Sequence, residues 1–275
     1  MFALRRKGLS SRQRESWERD GFLVVSGLFS KREIREAVGL LEAIWRDRAR
    51  PDNPLVVDTN LNGDGQRKYL RDAAVEEKTS VYKLNDAYLE YSEVRDLALK
   101  RELVDILRDL VHGDVCVCNS LHFERGSQQS LHVDTFYMPP PADGVLIATS
   151  ICLEDVHPDA GPLNYVAASH LIPPFYNSEG GRNVRNAEEQ DQAKWYYMSA
   201  IRDRGMNDRP FLGKAGDVII WHEQLLHGGS PIVDMSRTRK SLVTHYWRCD
   251  EMDQSILRRH GSGFFMDRPH AVVTP

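Results

Sequence analysis

The period of the hydrophobic pattern changes once along the chain, near residue 113, and that change limits the fold more than any other feature. Before it, apolar residues recur at helical spacing. Ile34, Ala37, Val38, Leu41, Ile44 and Trp45 form one stripe. Ser30 and Glu33 make a capping box in front of it, and Phe29 is placed to pack on Ile34. The stripe is expected to end near Arg50-Pro51, because proline disfavours helix in the residue before it. A polar segment follows from Asp52 to Arg67, within which Asn60-Leu-Asn-Gly-Asp-Gly65 reads as a surface loop. A second helix passes through Leu103, Ile106, Leu107, Leu110 and Val111, with Gly113 placed to stop it. Beyond that point Val115 to Glu124 alternates, and Val145 to Leu153 is an apolar run between turn residues. Asp217 to Trp221 and Ser241 to Trp247 are short and rich in β-branched and aromatic residues, so all four read as strands. Strands clustered after helices indicate an α+β chain: an antiparallel sandwich or barrel carrying helices on its outside.

One domain accounts for the 275 residues. Residues 1–113 are expected to be mostly helical, 114–250 to hold the β core, and 251–275 to form a tail. An insertion over 171–210 breaks the strand rhythm. Its middle, Ala187 to Arg204, is polar and helical in pattern, with a Trp195-Tyr196-Tyr197 cluster, and its length suggests a lid or binding loop. The net charge of -4 argues against a chain whose task is to neutralise nucleic-acid phosphates. No apolar run is long enough to span a membrane. The amino terminus turns basic before a signal peptide can develop, so a cytoplasmic location is expected. Cys116, Cys118, Cys152 and Cys249 are too few for a disulfide framework, and Cys116-Val-Cys118 is too tight for a zinc knuckle.

Three His-x-Asp triplets occur. Those at His112 and His157 lie among turn residues; only His132-Val-Asp134 has a strand-like setting, where residues i and i+2 share a face and can meet one ion. A third ligand would complete a facial triad with open positions, the arrangement that suits non-haem iron(II). His222 and His227 compete for that place. Their i,i+5 spacing rules out a zinc-protease helix, which needs histidines at i and i+4 on one face. His227 opens the turn His227-Gly-Gly-Ser-Pro231 and can face a cavity, whereas His222 lies inside a strand run and reads as packed. Past His227 stand Arg237 and Arg239. A guanidinium pointing into a barrel is costly unless a carboxylate meets it, and its planar fork suits that contact. Either arginine could hold a cosubstrate carboxylate.

These residues carry a resemblance. Trp17-Glu-Arg-Asp-Gly-Phe-Leu-Val-Val-Ser-Gly-Leu28, the stretch Leu153 to His170, Gly216-Asp217-Val-Ile-Ile-Trp221, His227-Gly228 and Arg239-Lys240 resemble, in order, the motifs of the phytanoyl-CoA dioxygenase family of iron(II)- and 2-oxoglutarate-dependent oxygenases. The resemblance covers most of the chain. It implies a double-stranded β-helix (a cupin-like jelly roll), with His132, Asp134 and His227 as iron ligands and Arg239 on the distal carboxylate of 2-oxoglutarate. It also implies Gln129 and Lys83 beside the cosubstrate, and O2 as oxidant. Relatives that halogenate replace the ligand carboxylate with a small residue; Asp134 is present, which favours hydroxylation, desaturation or oxidative ring closure.

Substrates of the family range from acyl-CoA thioesters to osmolytes and secondary metabolites. An acyl-CoA should leave a concentrated basic patch; the nearest candidates, Arg182 and Arg185, are diluted by Glu188, Glu189 and Asp191. A polar, neutral or cationic small molecule is therefore expected, such as a glycosylated natural product in antibiotic biosynthesis. Tyr137 either lines the substrate mouth or packs at a strand end. The alternatives are an acyl-CoA hydroxylase, a metal-binding cupin-like protein without oxygenase activity, and a nucleic-acid demethylase.

Overall fold

The computed structural model describes residues 8–273; the basic amino terminus up to Lys7 lies outside them. Helix α1 (Ser11–Asp20) and strand β1 (Phe22–Val25) lead to α2 (Lys31–Arg46), which starts at the expected Ser30–Glu33 capping box. Phe29 and Ile34 are buried in one cluster, as the staple requires. The helix stops four residues before Arg50, its cap N–H bonded back to Ala43 O and Trp45 O.

Within the polar segment, residues 60–65 form the expected loop, and on either side of it lie β2 (Val56–Thr59) and β3 (Gln66–Tyr69), two strands the pattern did not announce; β4 (Lys83–Asn85) follows. Each is only three or four residues long, too short to show a period against polar neighbours. Helices α3 (Ala87–Glu90), α4 (Ser92–Ala98) and α5 (Arg101–Val111) come next. Helix α5 ends on His112 in the left-handed conformation (φ 54°), one residue before the glycine expected to stop it.

The core strands are β5 (Val115–Phe123), β6 (Leu146–Cys152), β7 (Leu163–Val166), β8 (Asp208–Pro210), β9 (Val218–His222), β10 (His227–Gly229) and β11 (Ser241–Arg248). Helix α6 (Ala187–Asp203) lies in the insertion, capped by Asn186. The residues read as a tail contain a hairpin, β12 (Leu257–His260) and β13 (Gly263–Met266), and β13 pairs parallel with β5. Its apolar Phe264 and Phe265 take up the free edge of β5 beside Cys116 and Val117.

Two sheets result. The large one runs β1-β9-β6-β11-β5-β4-β2-β3 with the hairpin attached to β5; the small one runs β10-β7-β8. Every pairing within these two paths is antiparallel. The α+β class with an antiparallel core is the one expected from the pattern of elements, and the jelly roll is the one that the family resemblance implied.

Alternation along the central strands sorts side chains between two cores. Val218, Ile220, Ile147, Ile151, Leu242 and Tyr246 pack toward the helices, in the cluster that also buries Leu41, Trp45, Leu103 and Leu107. Ile219, Trp221, Ala148, Cys152 and Val243 face the other way, toward the small sheet. Covered on both sides, these strands read as continuous apolar runs. All four cysteines are buried and unbridged.

Candidate active site

A cavity of about 440 Å³ opens between the facing surfaces of the two sheets, and His132, Asp134, His227, Arg239, Gln129 and Lys83 all line it. Its inner end is built on one backbone feature. His132 and His227 form an isolated antiparallel bridge, with His132 N–H donating to His227 O (2.9 Å) and His227 N–H to His132 O (3.0 Å). That pairing sets the two imidazoles side by side, ring centroids 4.4 Å apart. Gly228 permits it, because a Cβ there would lie 2.6 Å from Gln129 O. Asp134 follows at the start of a 3-10 turn, Asp134–Phe136, so the stretch expected to be a strand is a single bridge running into a turn. The i,i+2 relation still places the carboxylate on the histidines' side.

Ligand atoms of His132, Asp134 and His227 lie within 4.8 Å of one another, and all three residues are buried. Each imidazole is oriented from behind: His132 Nδ1 lies 2.9 Å from Ser130 O and His227 Nδ1 2.9 Å from Leu225 O. A carbonyl only accepts, so Nδ1 carries the proton and Nε2 presents its lone pair to the cavity. Burial lowers the pKa of His132 to about 3, with His227 adding to the effect, so this ring is neutral at physiological pH. Burial would raise that of Asp134, but the imidazoles of His227 and His245 outweigh it and hold the carboxyl well below its usual range. Trp221 Nε1 donates to Asp134 Oδ2 (2.8 Å), and His245 Nε2 lies 3.2 Å from Asp134 Oδ1. Two imidazole nitrogens and an ionised oxygen around one point, each braced from behind, fit a divalent metal with open coordination positions.

Arg239, just before β11, is 5% exposed, and its Nε has no hydrogen-bond partner among the described residues. It lies 5.7 Å from the Phe123 ring centroid. Burial lowers its pKa to about 10, which leaves the guanidinium charged at neutral pH. A buried cation with an orphaned donor fits an anionic ligand. Ser241, two residues on, also has a buried hydroxyl without a partner. Arg237 lies outside the cavity, paired with Asp234 on the surface (3.0 Å). Lys83 reaches Asp58, with Nζ 3.4 Å from Oδ2.

The other histidines separate clearly. His222 packs against His170 and Trp17, away from the cavity. His122 contacts Ser241 O on the helix side, whereas His245 braces Asp134. The parity of β11 contained that signal, since Arg239, Val243 and His245 all line the cavity. Sequence reasoning missed Trp221 as a brace, and Arg67 and Asn85 as a wall with Asp58 bonded to both, because the pairing of the strands that bear the last three was not recognised. Tyr137 lines the mouth, about half exposed.

The insertion, expected as a lid or binding loop, stands apart from the cavity in this structure. None of residues 171–210 lines the cavity. Ala193, Tyr197 and Ile201 of α6 instead pack behind the ligand-bearing segment, on Val133 and Phe136. Tyr197 OH donates to Gln224 Oε1 (3.1 Å) and Gln224 Nε2 to Thr135 Oγ1 (2.9 Å), tying the helix to the residue after Asp134.

The sequence model of the phytanoyl-CoA dioxygenase (PhyH) family matches residues 17–240. Peroxisomal phytanoyl-CoA dioxygenase of Mus musculus is 23% identical over 260 residues, covering 88% of this chain and 69% of that protein. Among solved structures, the non-heme alpha-ketoglutarate-dependent carbocyclase SnoK from nogalamycin biosynthesis is similar at a TM-score of 0.63 and 17% identity, over 87% of this chain and 84% of that one. EctD from S. alaskensis with 2-oxoglutarate and 5-hydroxyectoine is similar at 0.62 and 18%, over 96% and 82%. By the match over residues 17–240, the chain belongs to the phytanoyl-CoA dioxygenase family of iron(II)- and 2-oxoglutarate-dependent oxygenases.

Proposed function

We propose that His132, Asp134 and His227 hold the iron, that Arg239 takes the distal carboxylate of 2-oxoglutarate, and that Gln129 and Lys83 lie beside the cosubstrate. The reaction is hydroxylation or oxidative ring closure of a small polar molecule, of the glycosylated natural-product kind. One observation carries this reading: a converging triad and a buried arginine with an orphaned donor share one cavity. Iron(II) bound there supplies oxygen activation coupled to oxidative decarboxylation of 2-oxoglutarate to succinate and carbon dioxide. The chain's own groups orient and exclude. Trp221 and His245 fix the carboxylate, Ser130 O and Leu225 O fix the imidazoles, and the apolar Phe123, Leu163 and Val243 limit water at the inner end.

The polar wall formed by Asn85 and Asn119 suits a hydroxylated substrate, and the volume falls in the small-molecule range of about 300–1,000 Å³. Two solved structures of similar fold are a carbocyclase and an epimerase from nogalamycin biosynthesis, by their descriptions. The arginines considered for an acyl-CoA phosphate are already engaged. Arg182 pairs with Glu223 (2.7 Å) and Asp143 (3.0 Å), and Arg185 pairs with Glu179 and Glu189. Family membership replaces the reading of a metal-binding protein without oxygenase activity.

The test is succinate formation with iron(II), 2-oxoglutarate and a panel of candidates. Stimulation by glycosylated polar compounds and not by acyl-CoA thioesters is the expected result. Stimulation by acyl-CoA alone would move the assignment to an acyl-CoA hydroxylase.

A further inference from the structure

The outer wall of the cavity carries a charge arrangement of which the cosubstrate takes only Lys83. Arg67 pairs across β3–β2 with Asp58, Asp58 across β2–β4 with Lys83, Lys83 across β4–β5 with Phe123, and Phe123 across β5–β11 with Ser241. Directly opposed residues on neighbouring strands share a face, so these five form one row across the large sheet, and Arg67, Lys83 and Phe123 all line the cavity. Asp58 organises the outer part of the row. Its buried carboxylate accepts from Arg67 Nε (2.6 Å), Arg67 Nη2 (2.9 Å) and Asn85 Nδ2 (3.2 Å), with Lys83 Nζ at 3.4 Å. The fork leaves Arg67 Nη1 without a hydrogen-bond partner among the described residues, on a half-exposed side chain at the cavity.

The two cations meet at one oxygen, Asp58 Oδ2, with Arg67 Nη2 at 2.9 Å and Lys83 Nζ at 3.4 Å. They differ in where they are rooted: strands stand about 4.8 Å apart, so the backbone of Lys83 is one strand, roughly 5 Å, from that of Phe123, and the backbone of Arg67 three strands, roughly 14 Å. Lys83 is rooted nearer the cosubstrate, and Arg67 reaches in from farther out on the sheet. Two cations against the one carboxylate of Asp58 leave this cluster with one unbalanced positive charge, and among the described residues the one carboxylate lining the cavity is Asp134. The whole-chain charge of -4, which suggested a neutral or cationic substrate, does not describe this wall.

We propose that Arg67, clamped by Asp58, anchors an oxyanion of the primary substrate, a carboxylate or a phosphate ester. The proposal deepens the oxygenase assignment and rests on it. A planar guanidinium with two of its donors fixed presents the third in a preset direction, which orients as well as attracts.

The experiment uses the full chain, anaerobic, loaded with iron(II) and 2-oxoglutarate. Benzoate, phenyl phosphate and, as the neutral control, benzamide are titrated at millimolar concentrations, read by perturbation of the visible charge-transfer band and by thermal shift. Saturable binding of one or both anions to wild type is expected, and the stronger of the two identifies the group. Arg67→Gln should weaken it at least tenfold and Arg67→Lys less, while the 2-oxoglutarate midpoint moves less than twofold in both. Equal anion binding by wild type and Arg67→Gln, no saturable anion binding to wild type, or benzamide binding as well as benzoate would overturn the proposal. So would a lost 2-oxoglutarate midpoint in Arg67→Gln, which would give Arg67 to the cosubstrate. Absence of the band in wild type would instead strike the oxygenase reading beneath it.

Discussion

Two backbone carbonyls, Ser130 O and Leu225 O, decide which nitrogen of His132 and of His227 faces the cavity. The triad is thus oriented before any metal arrives, and its parts have separable costs. Asp134→Ala removes one ligand oxygen and strands Trp221 Nε1. Iron affinity should fall at least about 100-fold, more than the roughly 10–100-fold typical of losing a residue that only braces a ligand, while circular dichroism shows the fold retained. Trp221→Phe removes only the brace and should fall within that smaller range. Arg239→Ala forfeits a charge-assisted contact of about 1.5–3 kcal/mol, so the 2-oxoglutarate concentration for half-maximal succinate formation should rise roughly 10–100-fold. Arg237→Ala, on the surface pair with Asp234, should leave it unchanged. A rise in Arg237→Ala alone would assign the carboxylate to the wrong residue.

Among the elements, α6 shows most plainly where sequence reasoning stops. Its extent was legible, since a polar, helix-patterned run from 187 onward needs no tertiary knowledge. Its task was not, because Ala193, Tyr197 and Ile201 reveal their partners only when Val133 and Phe136 lie opposite them. Packed behind the ligand-bearing turn, α6 is a buttress. Deleting residues 187–203 should therefore abolish succinate formation with and without substrate alike; a variant that kept the substrate-free reaction would restore the lid. Strands β2 and β3 taught the reverse lesson. Val56–Thr59 and Gln66–Tyr69 carry too few apolar residues to announce themselves, yet they supply Arg67 to the wall and Asp58 to hold it. The triad was readable because its residue types are rare in that order, whereas Asn85, Asp58 and Arg67 are ordinary surface types that acquire meaning from register.

For the molecule as a whole, the α+β build with an antiparallel core followed from the change of period at residue 113, and the jelly roll from the family resemblance. The carboxyl-terminal hairpin did not, because Gly263–Met266 pairs with a strand remote in sequence. The amino-terminal helices and the sheet also share a pH response. His222 packs against Trp17 of α1, and burial lowers its pKa to about 4 from 6.5, with His170 and Arg182 contributing. The native state keeps this ring neutral, and its Nδ1 accepts from Gln224 N–H (3.1 Å). The unfolded chain takes up the proton first, so the contribution is complete above pH 6.5 and is lost as pH falls through about 4. Melting temperature should drop across that window, and His222→Asn, which keeps an acceptor for Gln224 N–H but cannot titrate, should flatten the drop. An unaltered acid limb would place its origin elsewhere.

The most direct test of the central claim is an anaerobic titration of the full chain with iron(II) and 2-oxoglutarate, followed through the visible metal-to-ligand charge-transfer band. A band that saturates in wild type, vanishes in Asp134→Ala and needs far more 2-oxoglutarate in Arg239→Ala is the predicted result. Folded, metal-loaded wild type that gives no band would contradict it and leave the buried charge of Arg239 in need of another ligand.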